Sequence, residues 1–168
     1  MYVPYDQMPA SSRLWIYPAS RDLTPEETGW CGDQLQTFCE TWAAHGQGML
    51  CTWSIQRNRF VLLAANESVT GASGCSIDAS TRLIQKLGQH TGIDFFDRRP
   101  AFLLGDRIEM MDLSNLTEAF AGKKLTGDSP VFNLQAATLG DWNASPLRPA
   151  ADTWLRRYIK PVASDVAR

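Results

Sequence analysis

From residue 49 to 56 the chain alternates strictly: Met49, Cys51, Trp53 and Ile55 interleave with Leu50, Thr52, Ser54 and Gln56. A period of two predicts a strand with one buried face. After the polar break at Arg57 and Asn58, residues 59–65 (RFVLLAA) are apolar almost throughout, which predicts a returning strand buried more deeply. Two other segments follow a helical period. Cys31, Leu35, Phe38, Cys39 and Trp42 form one stripe behind Thr24, Pro25 and Glu27, which supply a cap, a first-turn proline and a capping box. Gly46 is expected to stop that helix, with His45 in its last turn. Ile77, Thr81, Ile84 and Leu87 predict a second helix from about Ser76 to Thr91, closed by Gly92.

Upstream, residues 13–17 (RLWIY), ended by Pro18, read as a first strand. Downstream, residues 101–104 and 107–111 flank Gly105 and Asp106 as a two-residue hairpin. The order strand, helix, strand, strand, helix, strand is the split βαβ arrangement. The expected fold is therefore α+β: a ferredoxin-like βαββαβ core with an added hairpin strand and a helical C-terminal extension. That extension holds a helix from Asp112 or Ser114 to Ala121, a segment at 130–133, and one or two helices ending near Tyr158. A single domain is expected over residues 13–160, between an irregular arm (1–12) and a tail (161–168).

Composition narrows the function classes. The chain has 168 residues, 44% hydrophobic and 20% charged, enough to bury a core without covalent staples. A net charge of -2 with no basic face argues against nucleic acid as a partner; the basic stretch LRRYIKPVASDVAR reads as a solvated helix end. No apolar run approaches the ~18 to 20 residues of a membrane span. Residues 1–13 lack the pattern of a signal peptide, so a cytoplasmic location with reduced thiols is expected. The four cysteines, at 31, 39, 51 and 75, contain no Cys-x-x-Cys pair, which argues against a zinc knuckle.

The segments WIYPASRDLTPEE, WAAHG, NESVTGASGCSID, DFFDR, VFN and DTWLRRY resemble a family of small bacterial proteins over roughly residues 13–158. GASGCSID is the most specific of them. Some members of that family carry the label ABC transporter ATPase. The chain has no G-x-x-x-x-G-K-[ST] run and no lysine beside its Gly-rich turn, so ATPase activity of that type is not expected. The resemblance bears on segment boundaries and implies no particular chemistry.

The candidate chemistry centres on residues 69–78, VTGASGCSID, where three readings stand side by side. In the first, Ser76 caps the second helix and Cys75 lies just before its N-terminus, which favours a thiolate. Cys75 would then need a base, with His45 and Glu67 as the candidates, because His90 lies at the far end of the same helix. In the second, Gly71 and Gly74 turn backbone N–H groups inward while Thr70, Ser73 and Ser76 add hydroxyls, making a cradle for a small anion. Asp78 counts against a phosphate there. In the third, the glycines adopt conformations closed to other residues, Ser76 and Asp78 cap the helix, and the turn only connects.

Other groupings are weaker. His90, Asp94 and Asp97 offer hard ligands at a helix end, but a charged surface accounts for them and no metal is expected. Trp30, Trp42 and Trp53 fall at core periods, and Trp142, Pro146, Trp154 and Tyr158 read as an apolar latch or a partner contact. Which cofactor the chain uses, if it uses one, is left open by these residues. The sequence thus favours a binding or interaction module for an unknown small anionic ligand or a protein partner, with thiol chemistry at Cys75 as the alternative.

Overall fold

The computed structural model describes residues 1–44, 46–68 and 71–159. His45 and Thr70, both named above as candidates, and the tail at 161–168 lie outside the described residues. The elements in chain order are β1 (Arg13–Pro18), α1 (Pro25–Thr41), β2 (Ala43–Ala44), β3 (Gln47–Gly48), β4 (Leu50–Gln56), β5 (Phe60–Asn66) and α2 (Gly74–Thr91). There follow β6 (Ala101–Leu104), β7 (Arg107–Met110), α3 (Leu113–Ala121), β8 (Pro130–Phe132), α4 (Leu139–Ala144) and β9 (Leu147–Pro149). The fold is mixed α+β, and no helix among the described residues is long and apolar enough to cross a membrane.

The chain forms two compact units, residues 1–98 with 134–144, and residues 99–133 with 145 onward. In the first, β1, β5 and β4 make an antiparallel sheet with β5 in the centre. Residues 60–65 of β5 are buried on both faces. Val61 packs with Cys31 and Leu35 of α1 and with Ile84 and Leu87 of α2. Leu63 and Ala65 join Cys39, Trp42 and Cys51. On the opposite face, the Phe60 ring meets Trp142 of α4 edge-on at 5.8 Å. Both sheet edges are covered. Arg13 bridges Thr138, and Leu14 donates its N–H to Ala137 O at 2.9 Å. On the other edge Tyr2 bridges Cys51 in parallel, so the arm expected to be irregular is partly strand-like, with a 3₁₀ turn at Tyr5–Gln7.

The capping box of α1 forms as expected. Glu27 N–H donates to Thr24 Oγ1 at 3.2 Å, and Thr24 N–H to Glu27 Oε2 at 2.9 Å. The same carboxylate pairs with Arg21 at 2.8 Å. The expected stop is misplaced: α1 ends at Thr41 with Trp42 extended, and Gly46 takes its left-handed conformation (φ +78°) between β2 and β3. Gly92 does close α2, at φ +68° with its N–H on Gly88 O. The buried stripe of α2 is shifted from the expected one, running Ser76, Ser80, Ile84 and Leu87. Two small polar residues at its start let the helix lie close to the core.

In the second unit the strand order is β7-β6-β8-β9, all antiparallel. The hairpin forms with Leu104 opposite Arg107 and Gly105 at φ +62°. Phe102, Leu116, Phe120, Leu125, Val131 and Leu155 make its core. The strand at 101–104, which a ferredoxin-like core would place beside β1, pairs with β7 and β8 instead. The expected C-terminal helices are α4 and two 3₁₀ turns, at Ala150–Asp152 and Trp154–Tyr158.

Arg21, and then the Thr24 amide, hold the Glu27 carboxyl down to about 2. A depressed acid stabilises the fold above its unfolded pKa and loses that contribution as pH falls through the folded value. Glu27→Ala is therefore expected to cost about 1 kcal/mol at pH 7. Denaturant unfolding at a series of pH values should show the gap between the two proteins closing from about pH 4 down to pH 2.

Candidate functional site at the turn after β5

The antiparallel register of β1 against β5 sets Arg13 opposite Ala65, at the end of β5 where the Gly-rich turn begins. There the Glu67 carboxylate gathers two donors on one oxygen. Ala72 N–H reaches Oε1 at 2.9 Å, and Arg13 Nη1 lies 3.3 Å from it. The Arg13 guanidinium also stacks over the Trp15 ring at 4.7 Å. Trp15 meets Trp42 edge-on at 5.8 Å, and the Trp42 indole N–H donates to Ser76 O at 3.0 Å. The turn thus rests on an aromatic column with a cation at its outer end.

The hydroxyls are engaged in the helix start. Ser73, not Ser76, is the cap. Ser76 N–H donates to Ser73 Oγ at 3.2 Å, and Ser73 N–H donates to Ser76 Oγ at 2.8 Å. The Ser76 hydroxyl gives its own proton to Ser73 O at 2.9 Å. The expected start at Ser76 is therefore corrected: α2 begins at Gly74, which is helical and not left-handed. A Cβ at Gly71 or Gly74 would meet nothing within 4 Å. Close packing does not require either glycine.

This shift moves Cys75 into the first turn of α2, where it is exposed, while Cys31, Cys39 and Cys51 are buried. The first amides of a helix have no intrahelical partner, and the first intrahelical bond here runs from Ile77 N–H to Ser73 O. The amides of Gly74 and Cys75 precede it, at the positive end of the helix. What this surface offers is a guanidinium, two amides outside the helix ladder, a carboxylate and a thiol.

Other candidates are drawn elsewhere. His90 stacks on Trp30, with centroids 3.7 Å apart and planes 14° from parallel. It lies ~22 Å along α2 from Cys75 at ~1.5 Å per residue. Asp94 accepts Phe96 N–H at 2.8 Å, and Asp97 is buried. Among the described residues no three His, Cys, Asp or Glu side chains gather to hold a metal ion. Trp42 is core, and Trp53 is half-buried with its indole N–H on Gln36 Oε1 at 2.9 Å. The proposed apolar latch divides: Trp142 belongs to the first unit, while Trp154 and Tyr158 pack within the second. A groove of about 510 Å³, lined by Gln85, Gln89, Asp94 and Phe96 among others, contains none of the predicted site residues.

Arg13 was not among the predicted site residues. Its signal lay in the strand order: pairing residues 13–18 antiparallel to 60–65 brings Arg13 within two residues of Glu67. Comparisons with protein-family models, with curated proteins and with solved structures give no match to this chain.

Burial pushes the Cys31 thiol up to about 11 and leaves it unreactive near neutral pH. Native protein treated with a maleimide is expected to take up one label, on Cys75, and Cys75→Ser to take up none until denaturant is added. Peptide mass mapping reads both outcomes.

Proposed function

We propose that the chain is a small binding module whose turn from Glu67 to Ser76 receives an anionic group of the carboxylate, sulfate or phosphate class. The observation that carries this reading is Arg13, a cation that the β1–β5 register brings to the turn. An incoming anion competes with Glu67 for the Arg13 guanidinium and takes the Gly74 and Cys75 amides at the helix end. Glu67, itself an anion held by Arg13 and Ala72, sets the threshold a ligand must exceed. Asp78 in the same helix adds negative charge, which favours a ligand of low charge over a phosphate dianion.

A second reading is thiol chemistry at Cys75, favoured by its exposure in the first turn of α2. The order β1, α1, β4, β5, α2 supports taking the first unit as the split βαβ part of a ferredoxin-like arrangement. Membership of the small bacterial GASGCSID family and a cytoplasmic location belong to the same proposal.

Melting temperature measured in sulfate, phosphate or acetate, against chloride at matched ionic strength, tests the anion reading. The expected result is a rise in the wild type that Arg13→Gln removes. Glu67→Gln should tighten binding about two- to fivefold, in line with the ~0.2–1 kcal/mol of an exposed charge pair. Equal rises in all three proteins would be a general salt effect and would sink the proposal. Loss of binding in Cys75→Ser, with Arg13→Gln unaffected, would favour the thiol reading.

A further inference from the structure

Gly92 closes α2 in a left-handed turn, and the residues that follow it, 93–96, run back against the helix. They lie so close that a Cβ at Gly88 would come within 2.9 Å of the Ile93 carbonyl oxygen. The groove of about 510 Å³ lies between the end of α2 and this segment. Its lining includes Ile84, Ile93 and Phe95 from the core of the first unit, which gives it an apolar floor. Its polar groups are Gln85 and Gln89, one turn apart on α2, and Asp94.

Asp94 is held in place. Its N–H donates to Ser20 Oγ at 3.1 Å, and its carbonyl accepts Ser20 N–H at 2.8 Å. One carboxylate oxygen accepts Phe96 N–H at 2.8 Å. Among the described residues, the other carboxylate oxygen and the two glutamine side-chain amides have no protein partner. A fixed acceptor with spare capacity loses little freedom when a ligand binds it.

The electrostatics favour a cation. Asp94 is the one charged residue among those lining the groove. The last turn of α2 presents the negative end of its dipole. Two neighbouring cations are engaged elsewhere: Lys86 donates to Gln34 Oε1 at 2.6 Å, and Arg21 binds Glu27 and the Thr91 carbonyl. The first unit as a whole carries seven Lys and Arg against eleven Asp and Glu, a net of -4.

We propose that this groove binds a small primary alkylammonium. Its carbon chain lies over Ile84 and Phe96, and its three N–H donors are shared by Asp94 and the side-chain oxygens of Gln85 and Gln89. The proposal concerns the first unit alone and is independent of what binds at the Gly-rich turn.

The test is a ¹⁵N–¹H spectrum of the full chain titrated with butylammonium chloride at constant ionic strength, with 1-butanol and ammonium chloride run in parallel. The expected result is saturable shifts on the Gln85 and Gln89 side-chain amides and on the backbone from Ile93 to Phe96, with tighter binding than either control. Asp94→Asn, which keeps an oxygen for Phe96 N–H, should weaken butylammonium about fivefold. Asp33→Asn, which removes the same charge from an exposed position on α1, should change it by less than about twofold. Binding of 1-butanol as tight as that of butylammonium, an equal loss in both variants, no loss in Asp94→Asn, or no saturable shift at the groove would each overturn the proposal. Tighter binding of N-acetyl-lysine amide than of butylammonium would overturn the free amine in favour of a lysine side chain.

Discussion

The central strand of the first unit imposes the constraint from which its other features follow. Residues 60–65 of β5 are buried on both faces, and both neighbouring strands pair with it along their length. A strand with no exposed face must be covered twice, which fixes α1 and α2 on one side and Trp142 on the other. It must also leave the sheet at a defined point. That point is Asn66.

Local chemistry then decides what the turn presents. Ser73 and Ser76 cap each other, and Trp42 anchors the backbone at Ser76. Groups that looked like ligand donors are thereby part of the helix start. The Glu67 carboxylate is shared between the Ala72 amide and Arg13. The groups left exposed are at the rim, the guanidinium of Arg13 and the thiol of Cys75.

Periodicity made the strands and helices of the first unit legible, because alternation and the Thr24–Glu27 capping box are local features. The Gly105–Asp106 hairpin was legible for the same reason. Pairing between distant segments was not. Nothing local tells residues 101–104 to join β8 and not β1, since that choice depends on which apolar faces remain uncovered. The start of α2 lies two residues ahead of the expected Ser76. Ser73 and Ser76 both suit a cap, and only the reciprocal hydrogen bonds distinguish them. Arg13 carries no local signal, because its closeness to Glu67 exists only once β1 and β5 are paired. The same long-range geometry brings the Cys51 thiol to the Cys39 backbone carbonyl, which no spacing motif marks.

The most direct test of the account is a ¹⁵N–¹H correlation spectrum of the protein titrated with sulfate at constant ionic strength. The account predicts saturable shifts concentrated on the amides from Ala72 to Ser76 and on the Arg13 side-chain Nε. Shifts centred on the groove at Gln85, Gln89 and Asp94, or none at the turn, would contradict it.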